Sequence, residues 1–458
     1  MENAKKKKLS GKIKYLIYIG IVLIATAISL TLALWGDNFN KVVNSFNGAD
    51  YKYILVIVAV VLSSYLVDGL IIMVFCRLYT RRYKWHQGLV TSFVGQFYSD
   101  VTPGASGGQI MQVFTMRKQN VSFANAASIM VMWYIMYQSS LIVFDVIALS
   151  CEWRTIFEIK SLQIDVWNWS IPLVPLIIVG FTLNASIIVG LYLMSFSNKF
   201  HNFIIKYVVG FFAKIKIVKN AEETRDKLRV NVLNFKTELK RLQTNIPVII
   251  ITFIFFMFIL FARFSIPYFA GLSLHAWGES SFDFKMLFRG TCLSATHQML
   301  SGLIPLPGSA GVSELFYNYL FYNYFYFGPD GVSPSSLISS IPQEEIGSTM
   351  TGIISSTQIL WRTATFHIVL IVSGLITALY RGKPSKDFEH ADRKTFIDLQ
   401  YQTYQESHRN TQLSLESPTF AQEIELESIE EKPKKEKINK KRKSNRHKSE
   451  EKWDNLDI

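Results

Sequence analysis

Long unbroken apolar runs dominate the chain, and short segments rich in Lys and Arg separate them. A helix that crosses about 30 Å of hydrocarbon needs roughly 20 apolar residues. Six runs are long enough, and they predict transmembrane helices at residues 15–35, 53–75, 123–151, 170–196, 247–272 and 347–380. No small-residue cleavage site follows the first run, so we interpret it as an uncleaved span rather than a signal peptide.

Two further apolar regions are broken in the middle by Pro and Gly. Residues 88–116 contain Pro103-Gly104-Ala105-Ser106-Gly107-Gly108, and residues 285–326 contain Pro307-Gly308-Ser309-Ala310-Gly311-Val312. In the first region each arm has about 14 residues, too short to span the bilayer alone. Both regions are therefore predicted to be re-entrant helical hairpins. Matching breaks in two hydrophobic halves are typical of a transporter binding site near mid-membrane.

The distribution of Lys and Arg orients these segments. The basic clusters at residues 5–8, 77–84, 117–118, 199–241 and 381–386 should lie on the cytoplasmic side, with both termini. Each half then crosses the membrane three times, so the second half is inverted relative to the first. The predicted fold is an all-α polytopic membrane protein with six transmembrane helices and two re-entrant hairpins as an inverted repeat.

The same pattern divides the chain into a membrane domain and a tail. The domain covers residues 1–380, with halves at about 10–196 and 247–380. The basic linker 197–246 is either an interfacial helix or a solvated connector. Residues 381–458 are predicted to be a disordered, charged cytoplasmic tail. Its Lys cluster at 434–448 could contact anionic lipid or RNA, but it lacks interleaved aromatics, so no nucleic-acid partner is expected.

Composition supports a membrane protein and excludes some chemistry. Of 458 residues, 49% are hydrophobic and only 18% are charged. We interpret the excess of Lys and Arg, a net charge of +13, as a signal for membrane orientation and for contact with lipid. The three Cys are far apart and the eight His are scattered. Their spacing predicts no metal site, no redox site and no cofactor.

The repeated phrase can bind anions. Pro is favoured at a helix start, Gly allows close backbone approach, and a helix N-terminus carries about half a positive charge. Two tips meeting from opposite leaflets would form a phosphate-sized site. The alternative is that the glycines only permit tight helix packing. The predicted phosphate-binding residues are Pro103, Gly104, Gly107, Gly108, Gln109, Pro307, Gly308 and Gly311.

Charged residues within apolar segments complete the predicted site. A charge at mid-membrane costs about 2.5–3.5 kcal/mol on insertion scales, so each should face a partner or a polar cavity. The candidates are Asp100, Arg289, Glu314 and Arg362. A guanidinium group can hold phosphate through two parallel hydrogen bonds. A buried structural ion pair is favoured over ligand contact for three further residues, which are Asp68, Asp145 and Arg263.

These phrases resemble the motifs of the lysylphosphatidylglycerol synthase transmembrane region family. The first resemblance covers residues 102–109 with Arg117-Lys118, the second covers residues 305–314, and Leu360-Trp361-Arg362 resembles the family's last-span arginine. The resemblance implies a bacterial inner-membrane protein with a flippase-like membrane region. Full-length relatives add a cytosolic domain that transfers lysine from lysyl-tRNA to phosphatidylglycerol, and the product gives resistance to cationic antimicrobial peptides.

The expected function is translocation of an anionic or aminoacylated phospholipid, such as lysylated phosphatidylglycerol, between leaflets. A phosphatidylglycerol lysyltransferase is a different possibility, but the charged residues after 380 cannot form an acyltransferase domain. No catalytic residue is predicted. A small-solute carrier is a second possibility, and an accessory protein that recruits lipid-synthesis enzymes is a third. The lipid, the direction and energy source of transport, and assembly into a homo-oligomer stay open.

Overall fold

The fold is taken from a computed structural model that describes residues 38–80, 82–153, 163–166, 169–196, 237–238, 240–278, 281–309, 311–329 and 331–382. This part is mostly helical. Five of its helices are long and apolar enough to cross a membrane, as in a multi-pass membrane protein; they cover Tyr51–Arg77, Phe123–Cys151, Leu173–Gly190, Ile246–Ser273 and Gln343–Leu379. The predicted span 15–35, most of the linker 197–246 and the tail lie outside the described residues.

The helices and strands follow one another in a simple order. They are α1 (Asn38–Asn47), α2 (Tyr51–Arg77), α3 (Trp85–Val101), α4 (Ser106–Lys118), α5 (Phe123–Cys151), β1 (Gln163–Val166), β2 (Trp169–Pro172), α6 (Leu173–Phe196), α7 (Ile246–Phe264), α8 (Ile266–Ser273), α9 (Phe284–Ser301), α10 (Val312–Tyr326), α11 (Ser336–Ser339), α12 (Gln343–Arg362) and α13 (Ile368–Leu379). Short 3₁₀ turns lie at Pro103–Ala105 and Pro307–Ser309, and a π turn at Thr363–His367 joins α12 to α13.

Two details differ from the predicted spans. Strands β1 and β2 pair antiparallel, with Asp165 opposite Ser170, so α6 begins at Leu173 instead of residue 170. The span 247–272 is two helices, because Pro267 in the first turn of α8 has no N–H to continue the α7 ladder. Apolar runs predict the length of a span but not these local breaks.

Helix α2 lies antiparallel to the α7–α8 pair. The Asp50 amide before α2 donates to the Ser273 carbonyl at the end of α8 at 2.8 Å. At the other end, the Tyr79 hydroxyl donates to Glu238, which precedes α7, at 2.7 Å. Hairpin one (α3 and α4) begins beyond the end of α2, and hairpin two (α9 and α10) begins beyond the end of α8. The two hairpins therefore start from opposite ends of this pair.

Each hairpin is packed into its own hydrophobic core. In hairpin one, Val113 and Met116 are buried with residues of α2 and α5, such as Phe75 and Ile129. In hairpin two, a larger aromatic cluster forms, in which the Trp277 indole N–H donates to the Tyr324 carbonyl at 3.1 Å. Burial of this much apolar surface holds the arms of both hairpins in place. The tips are left free to contact each other.

Candidate functional site

The two Pro-Gly phrases adopt the same backbone conformation. Gly104 and Ala105 have φ of 61° and 54°, and Gly308 and Ser309 have φ of 57° and 50°. Two consecutive left-handed residues are uncommon, and the non-glycine member costs about 1 kcal/mol or more. The sequence repeat is therefore also a structural repeat, and each phrase forms the tip of a hairpin.

Glycines 107 and 108 lie against the opposite arm of hairpin one. A Cβ at Gly108 would collide with Ser99 Oγ and would stand 2.8 Å from the Gly95 carbonyl. A Cβ at Gly107 would stand 2.8 Å from Thr102 Cγ2. The Gly107 amide donates to Thr102 Oγ1 at 2.9 Å, so Thr102 satisfies one of the free donors at the start of α4. In this structure both glycines allow the arms to pack closely.

Replacing Gly108 by alanine is expected to destabilise the protein by about 1–3 kcal/mol, because the added methyl group overpacks the contact between α3 and α4. Gly347 in α12 is a matched control, since a Cβ there meets nothing within 4 Å. An alanine at 347 should be neutral or stabilising by roughly 0.5–1 kcal/mol. Thermal unfolding of the purified variants measures both effects. Equal midpoints for the two variants would show that the arms are not in close contact.

The tips meet at a cavity of about 510 Å³. The tips lie side by side, so that a Cβ built at Gly104 would stand only 3.4 Å from Pro305 Cβ of hairpin two. The lining combines residues of both tips with polar side chains of α2, α3, α7, α9, α10 and α12. Its ionisable members are Asp100, Arg263, His297, Tyr65, Tyr317 and Arg362. A concave site with a few polar groups among apolar ones is the usual form of a ligand pocket.

Arg362 holds the tip of hairpin two. Its Nε donates to Glu314 Oε1 at 2.8 Å, and its Nη2 donates to the Gly308 carbonyl. The second carboxylate oxygen of Glu314 accepts from the Gly311 amide at 2.6 Å. Both charges of the pair are about nine-tenths buried. The guanidinium is thus compensated within the protein, and the Gly311 amide already has a carboxylate partner.

A π turn follows Arg362 directly and brings one aromatic ring between the hairpins. Phe366 in this turn clusters with Phe97 and Val101 of hairpin one. It also lies against the tip of hairpin two, since a Cβ at Gly308 would be 2.6 Å from its Cζ. π turns occur often at functional sites. Here the turn lets α12 contribute both Arg362 and Phe366 to the cavity.

Two charged side chains in the cavity lack an ionic partner among the described residues. Arg263 donates from Nε to Ser64 Oγ at 3.2 Å and lies 4.8 Å from the centre of the Tyr65 ring, but it forms no salt bridge within that part of the chain. Asp100 is 8% exposed. One of its oxygens accepts from Gln96 Nε2 at 2.9 Å, and the other, Oδ2, has no hydrogen-bond partner in the described structure.

The remaining predicted residues lie elsewhere. Arg289 is 3.5 Å from Glu152, packs against Gly331 and does not line the cavity. Gln109 is exposed on α4 and also does not line it. Of the predicted tip residues, Gly104 and Gly308 line the cavity, whereas Pro103, Pro307 and Gly311 shape the turns beside it.

The ion pairs favoured for Asp68, Asp145 and Arg263 do not form within the described residues. Asp68 accepts from the Trp133 indole N–H at 2.9 Å and from the Ser92 hydroxyl. Asp145 accepts from Asn184 Nδ2 at 3.2 Å. Both carboxylates have neutral donors, although Asp145 Oδ1 has no hydrogen-bond partner in the described structure. Neither carboxylate lines the cavity, whereas Arg263 does. The ion pair expected for Arg263 is absent among the described residues, because spacing along the chain does not reveal which helix lies opposite.

Among the described residues, no group of three or more His, Cys, Asp or Glu could hold a metal ion.

Comparison with known proteins identifies one family. Searches of curated proteins and of solved structures found no significant match. The sequence model of one family, described as the lysylphosphatidylglycerol synthase TM region, matches residues 17–341. This match contains both hairpin tips and ends before α12, which carries Arg362. Because it covers well over half of the chain, the protein belongs to the lysylphosphatidylglycerol synthase TM region family.

Proposed function

We propose that the protein is a lipid translocase that moves an anionic or aminoacylated phospholipid between the leaflets of a membrane. The observation that carries this proposal is Arg263, a guanidinium group without an ionic partner in the described chain, facing a cavity where two hairpin tips meet. Arg263 is partly buried, and a cation at membrane depth without a salt-bridge partner is costly. A phosphate group from a ligand would compensate it, and guanidinium binds phosphate through two hydrogen bonds.

Asp100 would let the cavity bind a second kind of lipid headgroup, one that carries an ammonium group. Its free Oδ2 and the Arg263 guanidinium line the same space. An anionic lipid would need only the arginine. An aminoacylated lipid carries an ammonium group besides its phosphate, and Asp100 offers that ammonium a carboxylate. A guanidinium group and a carboxylate in one cavity therefore support both headgroup types.

The arrangement of the hairpins supports alternating access across a bilayer. Their arms contain 17, 13, 18 and 15 residues, or about 20–27 Å of helix. That is shorter than the roughly 30 Å hydrocarbon core. They start from opposite ends of the α2 and α7–α8 pair. We propose that both are re-entrant within an inverted repeat of six spans, and that the halves rock around the cavity as in secondary transporters.

A lipid-exchange assay with the full chain in proteoliposomes tests the function. Fluorescent phosphatidylglycerol and lysylated phosphatidylglycerol are followed by quenching from outside, with phosphatidylcholine as the neutral reference. At least one of the first two should exchange faster than in empty vesicles. Exchange equal to empty vesicles for all three lipids would overturn the proposal. Release of a trapped small anion without lipid exchange would instead indicate a solute carrier.

A further inference from the structure

The two hairpins differ at their tips. In hairpin one, α3 ends at Val101 and the phrase follows almost at once. In hairpin two, α9 ends at Ser301, and residues 302–306 intervene before Pro307. These residues read Gly-Leu-Ile-Pro-Leu and contain no polar side chain. We call residues 302–306 the apolar lip; hairpin one has no equivalent of it.

The apolar lip forms part of the cavity wall and part of the protein surface at once. Gly302, Ile304, Pro305 and Leu306 line the cavity. Ile304 and Leu306 are also 44% and 43% exposed. A side chain that both lines a cavity and is exposed stands at its mouth. The lip lies beside the tip of hairpin one, because a Cβ built at Gly104 would stand 3.4 Å from Pro305 Cβ.

The lip has a defined shape. The Leu303 amide donates to the Leu300 carbonyl at 3.1 Å, and the Leu306 amide donates to the Ile304 carbonyl at 2.8 Å. Leu303 packs on the aromatic core of hairpin two. The lip therefore turns one leucine inward and presents Ile304 and Leu306 outward. A fixed apolar surface at a cavity mouth is unfavourable beside water and favourable beside hydrocarbon.

The lining of the cavity thus includes both charged groups, Arg263 and Asp100, and a continuous apolar stretch, the lip. A phospholipid has the same two parts, a charged headgroup and acyl chains. We infer that the acyl chains of the transported lipid leave the cavity across the apolar lip, with Ile304 and Leu306 in contact with them. This inference rests on the proposed function and adds the acyl-chain site.

A double variant, Ile304→Ser with Leu306→Ser, tests the lip. Its matched control is Ile110→Ser with Phe114→Ser on α4, which are 58% and 43% exposed and do not line the cavity. Loss of apolar contact should slow exchange of a dipalmitoyl lipid roughly tenfold in the lip variant but little in the control. Restoration by Ile304→Met with Leu306→Met would show that apolar contact, not a particular side chain, is needed. Equal rates in the lip and control variants would overturn the inference.

Photo-crosslinking gives a second readout that does not depend on transport rate. Phosphatidylglycerol with a diazirine group within one acyl chain should label the peptide that contains residues 302–306. An excess of unlabelled phosphatidylglycerol should suppress this labelling, whereas phosphatidylcholine should not. Labelling that neither lipid suppresses would mean bulk bilayer contact and would contradict the inference. If the wild-type chain exchanges no lipid, the proposed function fails; if it does and the lip variant matches its control, only the acyl-chain site fails.

Discussion

Replacing Arg263 by alanine is expected to slow lipid exchange about ten- to a hundredfold while the protein stays folded. The reason is that Arg263 is the cavity guanidinium without an ionic partner among the described residues, whereas Arg362 is already paired. A hydrogen bond to a charged group contributes roughly 1.5–3 kcal/mol, which corresponds to this range of rates. Exchange in proteoliposomes and thermal unfolding in detergent are measured on the same preparations.

Arg289 is the control for this prediction, because it is an arginine of the same domain that does not line the cavity. Arg289→Ala should leave the exchange rate close to that of the wild type, although loss of its contact with Glu152 can lower stability. Arg263→Lys should fall between wild type and alanine, since lysine keeps the charge but loses the two-bond geometry. If Arg289→Ala and Arg263→Ala reduce exchange equally, Arg263 is not the anion-binding group.

Breaking the Arg362–Glu314 pair is expected to have the largest effect on stability. Either Arg362→Met or Glu314→Met leaves one nearly buried charge without its partner. Loss of one partner of a buried pair costs about 3–5 kcal/mol. Glu314→Met also removes the acceptor of the Gly311 amide, so it should be the more damaging of the two. Thermal midpoints and expression levels report the loss.

The double variant Arg362→Met with Glu314→Met tests whether the ion pair is buried away from water or hydrated. With neither charge present, most of the lost stability should return, because replacing a buried pair by apolar residues is often neutral. Lipid exchange should stay slow, since the guanidinium no longer holds the Gly308 carbonyl at the tip. Single variants as stable as the double variant would show that water already compensates these charges.

Several elements of the site could be predicted from the sequence because their cause is local. The Pro-Gly phrases break apolar runs, since Pro removes a backbone donor and Gly tolerates positive φ. Both tips have this conformation at Gly104 and Gly308. The placement of Asp100 and Glu314 beside the tips also follows from short spacing along the chain. Gln96, the partner of Asp100, is also local because it lies on the same helix. The partner of Glu314 is not local, because Arg362 comes from α12.

The roles of the arginines could not be predicted. Arg263, Arg289 and Arg362 all interrupt apolar segments in the same way. The structure pairs Arg362 with Glu314, places Arg289 near Glu152 and leaves Arg263 facing the cavity. Which carboxylate lies opposite an arginine depends on the rotation and crossing of helices far apart in the chain. No periodicity within one segment encodes that information.

By itself, the sequence determined the membrane class, the helical character and the two Pro-Gly breaks, because transfer of apolar residues to hydrocarbon and the backbone properties of Pro and Gly act locally. Only the tertiary structure decided the contents of the site. It packed Gly107 and Gly108 between the arms, used Glu314 to compensate Arg362, and left Arg263 and Asp100 as the charges open to a ligand. Those outcomes depend on which side chains meet when the helices pack. The pattern of hydrophobicity along the chain does not predict these contacts.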